Sequence, residues 1–140
     1  ARVMALQGAE ILCYPTAIGS EPTDTDYDSC PHWTITMQGH AAANIMPVMA
    51  SNRFGFEKGF SGKSEKTYDV TFYGSSFISG PKGELLEQAG RDEEKILLAE
   101  FDLDQIQKLR SGWGIFRDRR PELYNVLLSI DGSPIISEIQ

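Results

Sequence analysis

Short apolar runs, each closed off by glycine, proline or a polar cluster, recur along this chain, and the longest helix-like stretch lies between two of them. Ile11–Tyr14, Pro47–Phe56, Thr71–Ser79 and Ile96–Phe101 read as strands, and Leu85-Leu86 starts a shorter one. Ile11–Tyr14 and Ile96–Phe101 read as buried strands, and Ile11–Tyr14 needs neighbours on both sides if it is buried on both faces. Thr16–Ser29 is rich in Gly, Ser, Thr, Asp and Pro and is expected to be a loop. A helix is predicted over Pro31–Asn44, capped by Ser29 or Cys30, with Trp33, Met37, His40 and Asn44 on one face. Ala1–Gly8 reads as a short helix stopped by Gly8. Asp102 or Asp104 could cap another through Leu109. Glu57–Lys66 is a loop or hairpin tip, and Pro81-Lys82-Gly83 is a turn signal. The pattern is mixed α and β, with hairpins and one helix between strands.

The length of 140 residues suits one domain. The first residue is Ala1, and its helix reads as one already under way, so we expect the chain to start part-way through a domain. A formal charge of −7 argues against a nucleic-acid partner, which calls for a basic face. The same charge is compatible with a cationic small substrate, and equally with simple solubility. Cys13 and Cys30 do not make a disulfide framework. No apolar run approaches the ~18 residues of a membrane span, so no membrane partner is expected and a cytoplasmic setting is the default.

Several segments, in order, carry a family resemblance. ARVMALQGAEIL with YPTAIGSEP, then MQGHAAAN, ASNRFGFE, FYGSSFISGPKGELL, and ILLAEFDLDQI with WGIFRDRRPELY together resemble the carbon–nitrogen hydrolase (nitrilase) superfamily. YPTAIGSEP and FRDRRPELY point to its branch acting on N-carbamoylputrescine, in polyamine synthesis. The resemblance implies an α+β fold, part of an α-β-β-α sandwich, with residues 1–140 as the C-terminal portion of a single domain. It implies a homo-oligomer built from dimers, with residues 115–140 in subunit contact. It implies a Glu–Lys–Cys triad, all of it upstream of Ala1, hydrolysing a small cationic carbamoyl-amine to putrescine, ammonia and carbon dioxide without metal or other cofactor. A β-ureidopropionase-like or other amidase of the superfamily is the alternative activity. A non-catalytic truncated or pseudoenzyme subunit is the alternative to an enzyme.

Within this chain the resemblance places the strand end and loop Tyr14–Glu21 beside the nucleophile. Backbone groups near Thr16 and Ala17 would touch the carbamoyl group, and Glu21 would meet a distal ammonium. A solvated loop acid is the plainer reading of Glu21. Asn52 would support the site from behind, and Arg53 would pair with a carboxylate such as Glu57. Cys13 is expected to be a buried packing thiol. Cys30, among acids, is not expected to be a nucleophile. His40 lacks companions at metal spacing and reads as a hydrogen-bonded core or interface residue. Arg117, Arg119 and Arg120, interrupted by Asp118 and Glu122, read as an ion-pair network or subunit contact.

Overall fold

A computed structural model of the chain describes residues 1–21, 24, 26–60 and 67–133. The loop or hairpin tip expected over Glu57–Lys66 is strand as far as Phe60, because those residues pair with the segment from Thr67; its remainder, 61–66, and the end of the tail, 134–140, lie outside the described residues. Helices α1 (Arg2–Leu6), α2 (Cys30–Asn44) and α3 (Leu103–Trp113) accompany strands β1 (Leu12–Thr16), β2 (Val48–Asn52), β3 (Phe54–Phe60), β4 (Thr67–Tyr73), β5 (Phe77–Ser79) and β6 (Leu85–Gln88). The main sheet is mixed, in the order β1-β2-β5-β6, and β3 and β4 form a separate antiparallel ribbon. This is an α+β fold with a central mixed sheet flanked by helices.

β1 and β2 run parallel, which requires a crossover, and α2 supplies it. Trp33, Ala41 and Asn44 of α2 are buried, and Met37 and His40 between them are half-buried, as the spacing predicts. Two core clusters share this face. Ala5, Leu12, Ala41, Met46 and Val48 form one. Cys30, Trp33, Ala50, Tyr73 and Phe77 form the other, with the Trp33 and Phe77 rings edge to face at 5.3 Å.

The far end of α2 is held by charge. The last carbonyls of a helix lack internal partners. Arg2 Nη2 donates to the Ala43 carbonyl at 2.6 Å, and Arg110 Nη2 to that of Ile45 at 3.1 Å. Both guanidiniums lie over the Phe116 ring, at 4.6 and 5.7 Å. Ile45 itself has φ of 48°, a left-handed conformation unusual for a β-branched residue, and its buried side chain helps hold it there.

Three further expectations are corrected. Cys13 is exposed, because β1 alternates and Cys13 points away from the face that α2 covers. β1 is an edge strand, with β2 as its one neighbour among the described residues. Ile96–Phe101 is not a strand: it has no ladder partner among the described residues, and Ile96 and Leu98 are 85% and 80% exposed. Two longer runs divide. Pro47–Phe56 breaks at Arg53, and Thr71–Ser79 breaks at Gly74 and Ser75, which both have positive φ.

Candidate functional site

The parallel pair β1–β2 ends at Thr16 and Asn52, which face each other in register. Ligands of parallel sheets gather beyond such carboxyl ends. Thr16 Oγ1 donates to the Ser51 carbonyl at 2.7 Å, tying the strand ends together. Ala17 follows on the surface. From Ile18 the chain turns into a shelf laid along β4. Tyr73 N donates to the Ile18 carbonyl at 3.1 Å, Ser20 N donates to the Thr71 carbonyl at 2.8 Å, and Thr71 N donates to Ser20 Oγ at 3.0 Å. Gly19 bridges Phe72 antiparallel. The backbones approach so closely that a Cβ on Gly19 would lie 2.5 Å from the Thr71 carbonyl oxygen.

Asn52 anchors the start of the shelf. Its Oδ1 accepts from Ile18 N at 2.9 Å, and its Nδ2 donates to the Ile18 and Gly74 carbonyls at 3.0 Å each. Asn52 N donates to Ser76 Oγ at 2.9 Å. Glu21 closes the shelf, half-buried, and its carboxylate makes no ion pair or hydrogen bond among the described residues. The structure therefore brings Thr16, Asn52 and the intervening loop together. Glu21 stands at the far end of that loop. The roles of Ile18, Gly19, Ser20, Tyr73 and Ser76 were missed in sequence, since none of these residue types advertises a site.

A cleft of about 340 Å³ opens beside Ser20, walled by Tyr27, Tyr73, Asp26, Asp28 and Asp92, with Arg91 as its cation. Arg91 lies over the Tyr73 ring at 5.4 Å and pairs with Asp28 at 2.5 Å. Tyr14 of β1 stacks on His40 of α2 at 5.9 Å, and burial pushes the Tyr14 phenol up from its ordinary value. Cys30 is buried at the start of α2, and neither cysteine thiol is hydrogen-bonded to a base among the described residues. No group of three His, Cys, Asp or Glu among the described residues could hold a metal ion. No helix among them is long and apolar enough to cross a membrane.

The sequence profile of the carbon-nitrogen hydrolase family matches residues 1–111. The chain belongs to the carbon-nitrogen hydrolase family. It is 60% identical over 135 residues to an N-carbamoylputrescine amidase of Solanum tuberosum, covering 95% of this chain and 44% of that protein. It is 54% identical over 128 residues to a citrullinase of Francisella tularensis, covering 91% of this chain and 43% of that protein. A crystal structure of a carbon-nitrogen hydrolase from Helicobacter pylori superposes with a TM-score of 0.79 at 43% identity, over 92% of this chain and 44% of that one. The chain thus spans less than half the length of these relatives.

In this carbon-nitrogen hydrolase chain the Asp28–Arg91 pair pins the loop leading into α2. The Arg91 hydrogen bond, and then the Cys30 backbone N–H, hold the Asp28 carboxyl below its ordinary 3.8. Because the folded value lies below the unfolded one, the stabilisation is present above the unfolded value. It is lost as pH falls through the folded value. Both side chains are about half exposed, so solvent screening keeps the pair under about 1 kcal/mol. Asp28→Asn, which keeps the acceptor for Cys30 N, should lower the urea midpoint slightly at neutral pH. The gap between variant and parent should close in acid. A gap that persists there would mean the pair is not its source.

Proposed function

We propose that the intact protein hydrolyses N-carbamoylputrescine to putrescine, ammonia and carbon dioxide, and that this chain builds the pocket wall meeting the diamine end. The observation that carries this reading is Glu21: a half-buried residue whose carboxylate has no ion-pair partner among the described residues, held at the end of a hydrogen-bonded shelf. A carboxylate so placed suits an ammonium that must leave water. The acid-walled cleft beside Ser20 adds a field that draws cations toward it. Similarity to the Solanum tuberosum N-carbamoylputrescine amidase supports the same substrate.

The chemistry follows from the family resemblance. A cysteine thiolate attacks the carbamoyl carbon, a glutamate acts as general base, and a lysine stabilises the oxyanion of the tetrahedral intermediate. The intermediate collapses to a thioester as its C–N bond to the terminal nitrogen breaks and ammonia leaves, protonated by the glutamate. Water then hydrolyses the thioester, freeing the cysteine and a carbamic acid that splits into putrescine and carbon dioxide. These three groups belong to the part of the domain that this chain does not span. Backbone groups near Thr16 and Ala17, at the end of β1, would hold the carbamoyl group. No cofactor enters this scheme, and a cytoplasmic setting goes with it.

The same reading makes the protein a homo-oligomer built from dimers, with residues 115–140 in the contact. The 3₁₀ helix Pro121–Leu128 supports this: its Leu123, Val126, Leu127 and Leu128 are all exposed, and such an apolar surface calls for cover.

Glu21→Gln in the intact enzyme should lower kcat/KM for N-carbamoylputrescine by about 10- to 100-fold. It should leave N-carbamoyl-β-alanine, whose tail is anionic, unaffected. An equal loss on both substrates, or none, would overturn the assignment of Glu21. Similarity to the Francisella tularensis citrullinase favours one second reading, a substrate with a carboxylate beside the distal ammonium. Faster turnover of citrulline than of N-carbamoylputrescine by the parent enzyme would establish it. Turnover of none of these ureido compounds would leave a non-catalytic subunit.

A further inference from the structure

We infer that Asn52 is a positioning residue for the pocket wall: its side-chain amide replaces a strand partner for Ile18 and so sets where the shelf, and Glu21 at its end, stands. This rests on the assignment of Glu21 to the distal ammonium. The geometry has a specific logic. A residue inside a β-ladder has its N–H and its C=O both paired by a neighbouring strand. Ile18 lies two residues beyond the last pair of the β1–β2 ladder, Thr16 with Asn52, and has Tyr73 N on its carbonyl from one side. On the other side the strand β2 has ended at Asn52, and no further backbone is available in register. The Asn52 amide fills that gap. Its oxygen accepts from Ile18 N, and its nitrogen donates to Ile18 O.

A primary amide suits this place because it carries an acceptor and two donors on one planar head. The second N–H of Asn52 goes to the Gly74 carbonyl, so one side chain joins β1's extension, the end of β2 and the turn after β4. The reverse orientation would set oxygen against two carbonyls, so the network defines the amide's orientation. Ser76 fixes the backbone behind it, receiving Asn52 N and lying 3.3 Å from the Asn52 carbonyl oxygen. Downstream, Ser20 repeats the device on a smaller scale. Its N–H and Oγ engage the carbonyl and N–H of Thr71. Between the two anchors Gly19 lets the shelf lie against β4 without a Cβ. Asn52 and Ser20 thus bracket the segment that leads to Glu21, and neither needs to touch substrate.

Asn52→Asp is nearly isosteric, keeps the acceptor for Ile18 N and loses both donors. In the intact enzyme it should raise KM for N-carbamoylputrescine about tenfold while kcat stays within about twofold, since it displaces the tail-binding end and not the reacting groups. Amide hydrogen exchange at Ile18, Ser20 and Tyr73 should quicken by about tenfold or more as the shelf lifts from β4. Ser20→Ala, a milder surface change, should quicken exchange at Thr71 and raise KM about threefold. It decides the matter if Asn52→Asp does not fold. Unchanged exchange at these amides, or a fall in kcat at constant KM, would overturn the positioning role. If the parent enzyme shows no preference for a cationic tail, the substrate reading fails, and the exchange measurements still decide whether Asn52 holds the shelf.

Discussion

Phe77→Ala should remove about 3–5 kcal/mol of stability, a large share of the 5–15 kcal/mol typical of a folded protein. Phe77 is 1% exposed and opens β5, paired with Ala50 of β2 on one side and Gln88 of β6 on the other. Its ring meets Trp33 edge-on and packs with Cys30, Ala50 and Tyr73. Truncation therefore loses apolar transfer energy and leaves a cavity between a helix and the centre of a sheet, where neither side can collapse freely. Urea unfolding should show a lower midpoint with an unchanged slope. A loss below about 1 kcal/mol would mean that the core does not rest on this ring.

Gly74→Ala comes second, at about 2–5 kcal/mol, for a different reason. Gly74 has φ of 55°, and an added Cβ would lie 2.3 Å from the Arg91 carbonyl oxygen and 2.9 Å from that of Gly90. The left-handed backbone costs a non-glycine residue roughly 1–2 kcal/mol. Overpacking against main chain, which cannot swing aside as a side chain can, adds about 1–3 kcal/mol. Gly74 also receives Asn52 Nδ2 and donates its own N–H to the Arg53 carbonyl. The damage should therefore appear at the shelf as well as in the melt, as faster amide exchange at Ile18. A variant as stable as the parent would show that the turn can rearrange at no cost.

Much of the fold was legible because its signals are local. Gly8 ends α1 with φ of 97°, Asp102 caps α3 by accepting from Gln105 N at 2.9 Å, and the turn after Gly80 falls on Pro81-Lys82-Gly83. α2 begins one residue before its predicted start. Arg53 pairs with Glu57, and Arg117 and Arg120 with Asp118 and Glu122. What failed was non-local. Ile96–Phe101 has the composition of a strand, but composition cannot supply the partner that makes one. Cys13 lies between Leu12 and Tyr14 and reads as core, yet the alternation of a strand sends it to the opposite face. At the candidate site the family resemblance pointed to Thr16, Ala17, Glu21 and Asn52. The bonds that join Asn52 to Ile18 cross 34 positions of sequence, and no local pattern encodes them.

The manner in which the shelf is held bears on how such a pocket can diversify. Its contacts run through the main chain of Ile18 and Ser20, the hydroxyl of Ser20 and the amide of Asn52. The side chains of Ala17 and Glu21 take no part in them. On the proposed assignment of Ala17 and Glu21 to the substrate, selection can therefore exchange those two residues, and with them the substrate, while the frame that presents them folds as before. Drift in substrate choice is uncoupled from drift in stability, and the two can be mutated, and measured, one at a time.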